Sequence, residues 1–210
     1  MKRLYAAYMI MAFLLLAGAG NAYASGHKLL DSLYEKLASS CTSIDYVYTT
    51  EVTGVKISGS GVLQLQGNMW CNKGNGLDIW CDGKTVWTAD TASKEVIIDS
   101  VSEEYADQLV NPALMFVKMK ELFNVKQAVD SKDGKALIYV LEPKSDLGIE
   151  YFNIEIMKND VSIRTASFAM EDGSDVKLTV SSMSISSKKP SEYFRPSESF
   201  DSSWIVTDMR

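Results

Sequence analysis

Residues 27–40, HKLLDSLYEKLASS, gather Leu29, Leu30, Leu33, Tyr34 and Leu37 on one stripe, with Lys28, Asp31, Glu35 and Lys36 opposite. That spacing predicts an amphipathic helix. From Ile44 the period falls to two, and strands are predicted over 44–53, 55–66, 68–73, 77–81, 84–90, 94–100, 123–129, 135–142, 149–158, 161–170, 174–186 and 203–208. Short alternating runs joined by tight turns point to antiparallel β-structure. The alternation is cleanest where Phe152, Ile154 and Ile156 point one way and Tyr151, Asn153 and Glu155 the other, which gives a sheet with one dry and one wet face. A second helix is predicted at NPALMFVKMKELF, with Asn111 as N-cap and Pro112 in the first turn. Its apolar side, Leu114, Met115, Val117, Met119, Leu122 and Phe123, is broad, and a shorter helical piece is expected at 103–109. The expected fold class is mainly β (α+β). Two or three short helices must cover the dry face of about a dozen strands. Either the sheet closes into a filled barrel, or it stays curved and open under a helical lid over an apolar cavity.

The turns set which residues share a face. In WCDGKTVWTAD, Asp82-Gly83 predicts a two-residue hairpin turn with Trp80 opposite Thr85 and Cys81 opposite Lys84. Asn75-Gly76 predicts another, with Cys71 opposite Trp80. Asp133-Gly134 and Asp172-Gly173 carry the same signal. Counting back by twos puts Leu63, Leu65, Met69 and Cys71 on the face of Trp80 and Trp87, and Gln64, Gln66 and Asn68 on the other. A bulge at Gly67 would reverse Leu63 and Leu65. The two tryptophans read either as ordinary core or as a ligand-lined wall. Met115 and Met119 read as gap-filling core or as a surface adaptable to alkyl chains. The same register sends Cys71 and Cys81 to opposite faces, as two small buried hydrophobes. A three-residue loop at 74–76 would bring them together and permit a disulfide.

Composition narrows the function. MKRLYAAYMIMAFLLLAGAGNAYASG has a basic start at Lys2 and Arg3, an apolar run, and Ala22 and Ala24 as small residues before a cut. Residues 1–24 are therefore expected to be a cleaved signal peptide, with Ser25 as the mature N-terminus and 25–210 as a single exported domain. No later apolar run reaches the roughly 20 residues of a membrane-spanning helix. The formal net charge is −6, and it grows more negative without the leader, which argues against nucleic acid and anionic membrane surfaces. Cys41, Cys71 and Cys81 lack zinc-ligand spacing. His27, the single histidine, is poorly placed as a base. There is no G-x-S-x-G motif, and Glu103-Glu104 and Lys188-Lys189 read as solvated faces. No catalytic residue, cofactor or metal is expected.

The amphipathic first helix, GVLQLQGNMW (61–70), DGKTVW (82–87), NPALMFV (111–117) and WIVTDMR (204–210) resemble the LolA family of periplasmic carriers. These take lipoproteins from the inner to the outer membrane. The resemblance runs through nearly all of the chain beyond the leader. It implies an incomplete antiparallel barrel closed by helices, whose apolar cavity holds acyl chains. It also implies an ATP-driven inner-membrane release complex and an outer-membrane acceptor as partners; here the acceptor stays open. On this reading the protein is a monomeric carrier in the periplasm, and Leu63, Leu65, Met69, Trp80, Trp87, Leu114, Met115, Met119, Phe152 and Ile154 are the expected cavity residues. A lipoprotein- or lipid-sensing protein of the same fold, and an exported hydrolase, are the alternatives. The family often has Arg-Pro after its Leu-x-Leu, and that arginine pins the lid. Here Gly67-Asn68 follows Leu63 and Leu65, and Lys73 would not reproduce a guanidinium fork.

Overall fold

The computed structural model describes residues 28–52, 54–74, 76–101, 112–171, 173–197 and 200–210, without the side chains of 52 and 112–115. The leader, His27, Asn75, Glu103-Glu104, the expected helical piece at 103–109, Asn111 and Asp172 lie outside the described residues, as do the side chains of Leu114 and Met115.

The two amphipathic patterns form helices α1 (28–39) and α2 (Pro112–Leu122). The alternating segments form twelve strands: β1 Cys41–Val52, β2 Val55–Gln66, β3 Met69–Gly74, β4 Leu77–Cys81, β5 Thr85–Asp90, β6 Glu95–Ser100, β7 Phe123–Asp130, β8 Ala136–Pro143, β9 Ile149–Met157, β10 Ile163–Met170, β11 Asp175–Ser186 and β12 Ile205–Asp208. They make one sheet in the order β12-β6-β5-β4-β3-β2-β1-β11-β10-β9-β8-β7. The sheet is curved and open, with β12 and β7 as edges, so the filled-barrel alternative does not hold. Every pairing is antiparallel except the last: β12 returns from the far side and runs parallel to β6. No local turn signal announces that long-range pairing.

Both faces of the sheet are covered, by different parts of the chain. On the helix face, Leu30, Leu33 and Leu37 of α1 and Phe116 and Met119 of α2 pack with Ile44, Leu63, Leu65, Trp70, Cys81, Tyr139, Phe152, Ile154 and Ile156. Phe152 contacts Phe116 edge-on at 6.4 Å and Phe123 at 5.4 Å between ring centroids. Tyr46 lies flat across β2 with its hydroxyl donating to Asn72 Oδ1 at 2.8 Å. A Cβ on Gly61 would stand 2.7 Å from that hydroxyl, so only glycine admits the ring there.

The other face carries residues 187–197 and 200–204 as a strap. Gln66 grips the Lys189 backbone twice, donating to its carbonyl at 2.8 Å and accepting from its N–H at 2.7 Å. Gln64 donates to the Tyr193 hydroxyl, and Phe194, in a 3₁₀ turn over Ser191–Phe194, is fully buried. Farther along, Phe200 and Trp204 meet edge-on at 5.0 Å between ring centroids and cover Cys71, Trp80, Trp87, Ala89, Val96 and Ile98.

Two turns correct the expected register. Leu65 pairs with Trp70 and Gln66 with Met69, so Gly67-Asn68 is itself a two-residue hairpin turn, with Gly67 at φ +58°. Reversing the chain there changes the parity that simple counting preserves. Leu63 and Leu65 therefore lie on the helix face, whereas Met69, Cys71, Trp80 and Trp87 lie on the strap face. The second shift is smaller. Asp82 N–H donates to the Thr85 carbonyl at 3.3 Å and Trp80 pairs with Trp87, so Gly83-Lys84 forms the turn instead of Asp82-Gly83. The Asp82 carboxylate caps it, accepting the N–H groups of Lys84 and Thr85 at 2.9 Å each.

Candidate functional site

Where α1 and α2 approach the β2–β3 turn, they leave a cleft of about 290 Å³. Its walls are Tyr34, Leu37 and Ala38 of α1, Leu65, Gly67 and Asn68 of the hairpin, and Phe116, Val117, Lys118, Lys120 and Glu121 of α2. The Leu37 carbonyl, at the open C-terminal end of α1, accepts the Gly67 N–H at 3.3 Å, which ties helix to hairpin. The charges sit at the rim. Lys118 pairs with Glu121 at 2.9 Å and Lys120 with Asp31 at 3.6 Å, and the Lys120 ammonium also stands 5.5 Å from the centre of the Tyr34 ring. The interior is apolar, and its polar groups are held neutral. Burial pushes the Tyr34 hydroxyl up to about 12, with Asp31 adding to the shift. Tyr139, bonded to the Leu30 backbone, is pushed up to about 12 by burial as well.

Apolar surface continues past the helices. Along the same face, Ile57 of β2, Leu77 of β4 and Ile97 of β6 are 47, 43 and 45% exposed, and the pairings place all three on the side of Leu65, Cys81 and Val86. Isolated exposed apolar residues are common, but three on the one face that also carries the cleft leave apolar surface available to a partner or ligand.

Of the expected cavity residues, Leu65 lines the cleft. Leu63, Met119, Phe152 and Ile154 are fully buried in the packed layer with the helices. Met69, Trp80 and Trp87 lie on the opposite face. Lys73 is there too, its ammonium 5.4 Å from the Trp80 ring. Sequence reasoning passed over Tyr34, Leu37, Ala38, Phe116 and Val117 as lining residues. Tyr34 and Leu37 stand in the apolar stripe of α1. Phe116 was hidden because α2 is apolar almost all round, so the buried pair among its described side chains, Phe116 and Met119, does not stand out from the rest.

The three cysteines are free and buried, with Cys71 and Cys81 on opposite faces as the turn at Asn75-Gly76 predicts. Burial pushes both thiols up to about 11, which keeps them protonated and weakly nucleophilic. Among the described residues, no group of three or more His, Cys, Asp or Glu could hold a metal ion, and no helix is long and apolar enough to cross a membrane.

An open antiparallel sheet with two helices and an apolar cleft on one face defines a binding fold. The sequence profile described as Outer membrane lipoprotein carrier protein LolA matches residues 65–197, more than half of the chain. The chain belongs to the LolA family. Among solved structures it is similar to an uncharacterized conserved protein from Thermus thermophilus, with 13% identity and a TM-score of 0.55 over 88% of this chain and 99% of that one. It is also similar to a LolA superfamily protein from Nitrosomonas europaea (11% identity, TM-score 0.46, 81% of this chain and 97% of that one). A third similar structure is a putative outer membrane lipoprotein-sorting protein domain from Vibrio parahaemolyticus (10% identity, TM-score 0.47, 81% and 96%). No curated protein sequence matches the chain.

Proposed function

We propose that this protein is a periplasmic carrier that shelters the acyl chains of lipoproteins between α1, α2 and the sheet, and moves them from the inner to the outer membrane. The observation that carries this reading is the apolar helix face that its own helices do not fully cover, with Leu65 in the cleft and Ile57, Leu77 and Ile97 exposed farther along the same face. Membership of the LolA family supports the same reading. At about 290 Å³ the cleft stands at the low end of small-molecule pockets, which run from about 300 to 1,000 Å³. Acyl chains therefore enter by separating the helices from the sheet, over Leu63, Leu65, Met119, Phe152 and Ile154, with Leu114 and Met115 on the moving helix.

Partial cover also fits the energetics of a carrier. Each methylene buried contributes roughly 0.8 kcal/mol, so full enclosure of long chains would make release too slow. A lid that must open against its own packing lowers the net affinity to a transferable value. Cargo arrives from an ATP-driven release complex of the inner membrane, after export of the chain under its leader. Purified protein incubated with energised inner-membrane vesicles should appear with lipoprotein in a soluble one-to-one complex. Lipoprotein that stays in the vesicle pellet would refute the carrier reading.

A further inference from the structure

A polar pair stands inside the apolar helix face. Leu63, Asn72, Ile79, Thr88 and Ile97, from β2 to β6, are successive cross-strand partners on that face. Tyr46 of β1 is buried, and Gly61 admits its ring across β2, so its hydroxyl donates to Asn72 Oδ1 at 2.8 Å. Burial raises the pKa of that hydroxyl, which keeps it protonated as the donor. With Oδ1 engaged, the two N–H groups of the half-buried Asn72 amide are turned away from Tyr46. Among the described residues no acceptor takes them, and the buried side-chain polar atom left without a partner is Asn153 Oδ1 instead. The Asn72 nitrogen therefore opens onto the space over the sheet, beside Ile79 and the exposed Leu77. A fixed donor in apolar surroundings selects a ligand that brings an acceptor, because covering it with hydrocarbon would leave it unpaired. The charges nearby decide which acceptor. The flanking rows of the same face run Gly74, Leu77, Asp90, Glu95 and Trp70, Cys81, Val86, Asp99, and their charged side chains are all carboxylates. Lys73 stands on the opposite face, over Trp80. An anionic group meets repulsion here, whereas a neutral carbonyl does not.

We propose that Asn72, oriented by Tyr46, reads the ester linkage of the cargo: its amide donates to an ester carbonyl of a diacylglyceryl group while the alkyl chains lie along Leu63, Leu77, Ile79 and Ile97. This rests on the carrier reading and narrows its ligand from hydrocarbon to acyl ester. Apolar burial has no direction, so hydrocarbon contact alone lets a chain slide along the sheet. One directional hydrogen bond fixes how far the chains run past β3. Tyr46 is a positioning residue, since its hydroxyl touches the amide and not the ligand.

Fluorescence titration of the whole chain with two labelled lipopeptides tests the proposal. One carries a dipalmitoyl ester, and the other is its dihexadecyl ether analogue, which keeps the chain length and lacks the carbonyls. The wild type should bind the diester about three- to ten-fold more tightly, the range that one neutral hydrogen bond spans. In Asn72→Leu the two ligands should bind alike. In Tyr46→Phe, which keeps the amide but frees it to rotate, the preference should shrink to about two-fold. The double variant Tyr46→Phe/Asn72→Leu leaves neither group orphaned and should again show no preference. Each variant is compared with itself across the two ligands, so a general loss of stability does not imitate the result. Equal binding of the two ligands by the wild type, or a preference intact in Asn72→Leu, would overturn the ester reading and leave the carrier standing. A wild type that binds neither ligand overturns the carrier reading and this inference with it.

Discussion

Gly67 occupies the place where the family often carries an arginine, and its backbone explains why a side chain is unwelcome. Its φ is +58°, a region where a Cβ costs roughly 1–2 kcal/mol. A Cβ there would nonetheless meet nothing within 4 Å. The penalty therefore comes from the backbone alone, and it should not depend on side-chain size. Gly67→Ala and Gly67→Arg should each lose about 1–2 kcal/mol in urea unfolding, while Gly67→Asn, which tolerates this region better, loses less than either. A marked difference between Ala and Arg would show that the arginine finds or displaces a partner in the cleft.

Asp82 is the other single residue with a large assigned role. Its side chain is 5% exposed and binds Arg195 Nε at 2.8 Å, anchoring the strap to the β4–β5 turn. Burial alone would push its carboxyl up, but the N–H groups of Thr85 and Lys84 and the Arg195 guanidinium together hold it below the usual carboxylate range. A depressed folded value stabilises the protein above the unfolded carboxylate pKa of about 3.9, and that contribution is lost as pH falls through the folded value. Urea midpoints measured from pH 6 down to pH 2 should fall below about pH 4, and Asp82→Asn should flatten that acid limb. An identical limb in the variant would remove Asp82 from the account.

At the scale of elements, β2 shows how one segment organises both faces. In GVLQLQG, Leu63 and Leu65 enter the helix-face core while Gln64 and Gln66 receive the strap. The strap's far end depends on Phe200 and Trp204, half-buried over Trp87 and Ile98. Trp204→Ala should cost about 2 kcal/mol, less than the 3–5 kcal/mol of a fully buried tryptophan. It should also speed chymotryptic clipping after Phe200, which packs against Trp204, while α1 stays protected. Clipping at the wild-type rate would mean that β12 holds the strap without this ring. The strands bury the thiols on both faces of the sheet, so Cys71 and Cys81 should resist a disulfide-exchange reagent at pH 8 and react on unfolding.

At the scale of the molecule, the apolar residues exposed along the helix face make binding separable from stability. Leu77→Glu and Ile97→Glu change side chains that are already near half-exposed, so stability should stay within about 0.5 kcal/mol. Binding of a hydrophobic dye or a lipopeptide should fall several-fold. Unchanged binding in both variants would confine the ligand to the cleft at Gly67.

The sequence by itself determined the elements, because each depends on a local signal. Period 3.6 gave α1 and α2, period two gave the strands to within a few residues, and Gly turns joined most of them into antiparallel hairpins. It determined which residues of β9 are buried, since Phe152, Ile154 and Ile156 alternate without interruption. Only the tertiary structure decided which dry residues meet. One reversal at Gly67-Asn68 inverts the parity of everything before it, so Leu65 and Trp80 lie on opposite faces despite a consistent count. The parallel pairing of β12 with β6, the strap over the tryptophans and the α1–α2 seam join residues far apart in the chain. Such contacts are fixed by what each face has left uncovered once the sheet has curled, and that surplus is a property of the folded sheet as a whole.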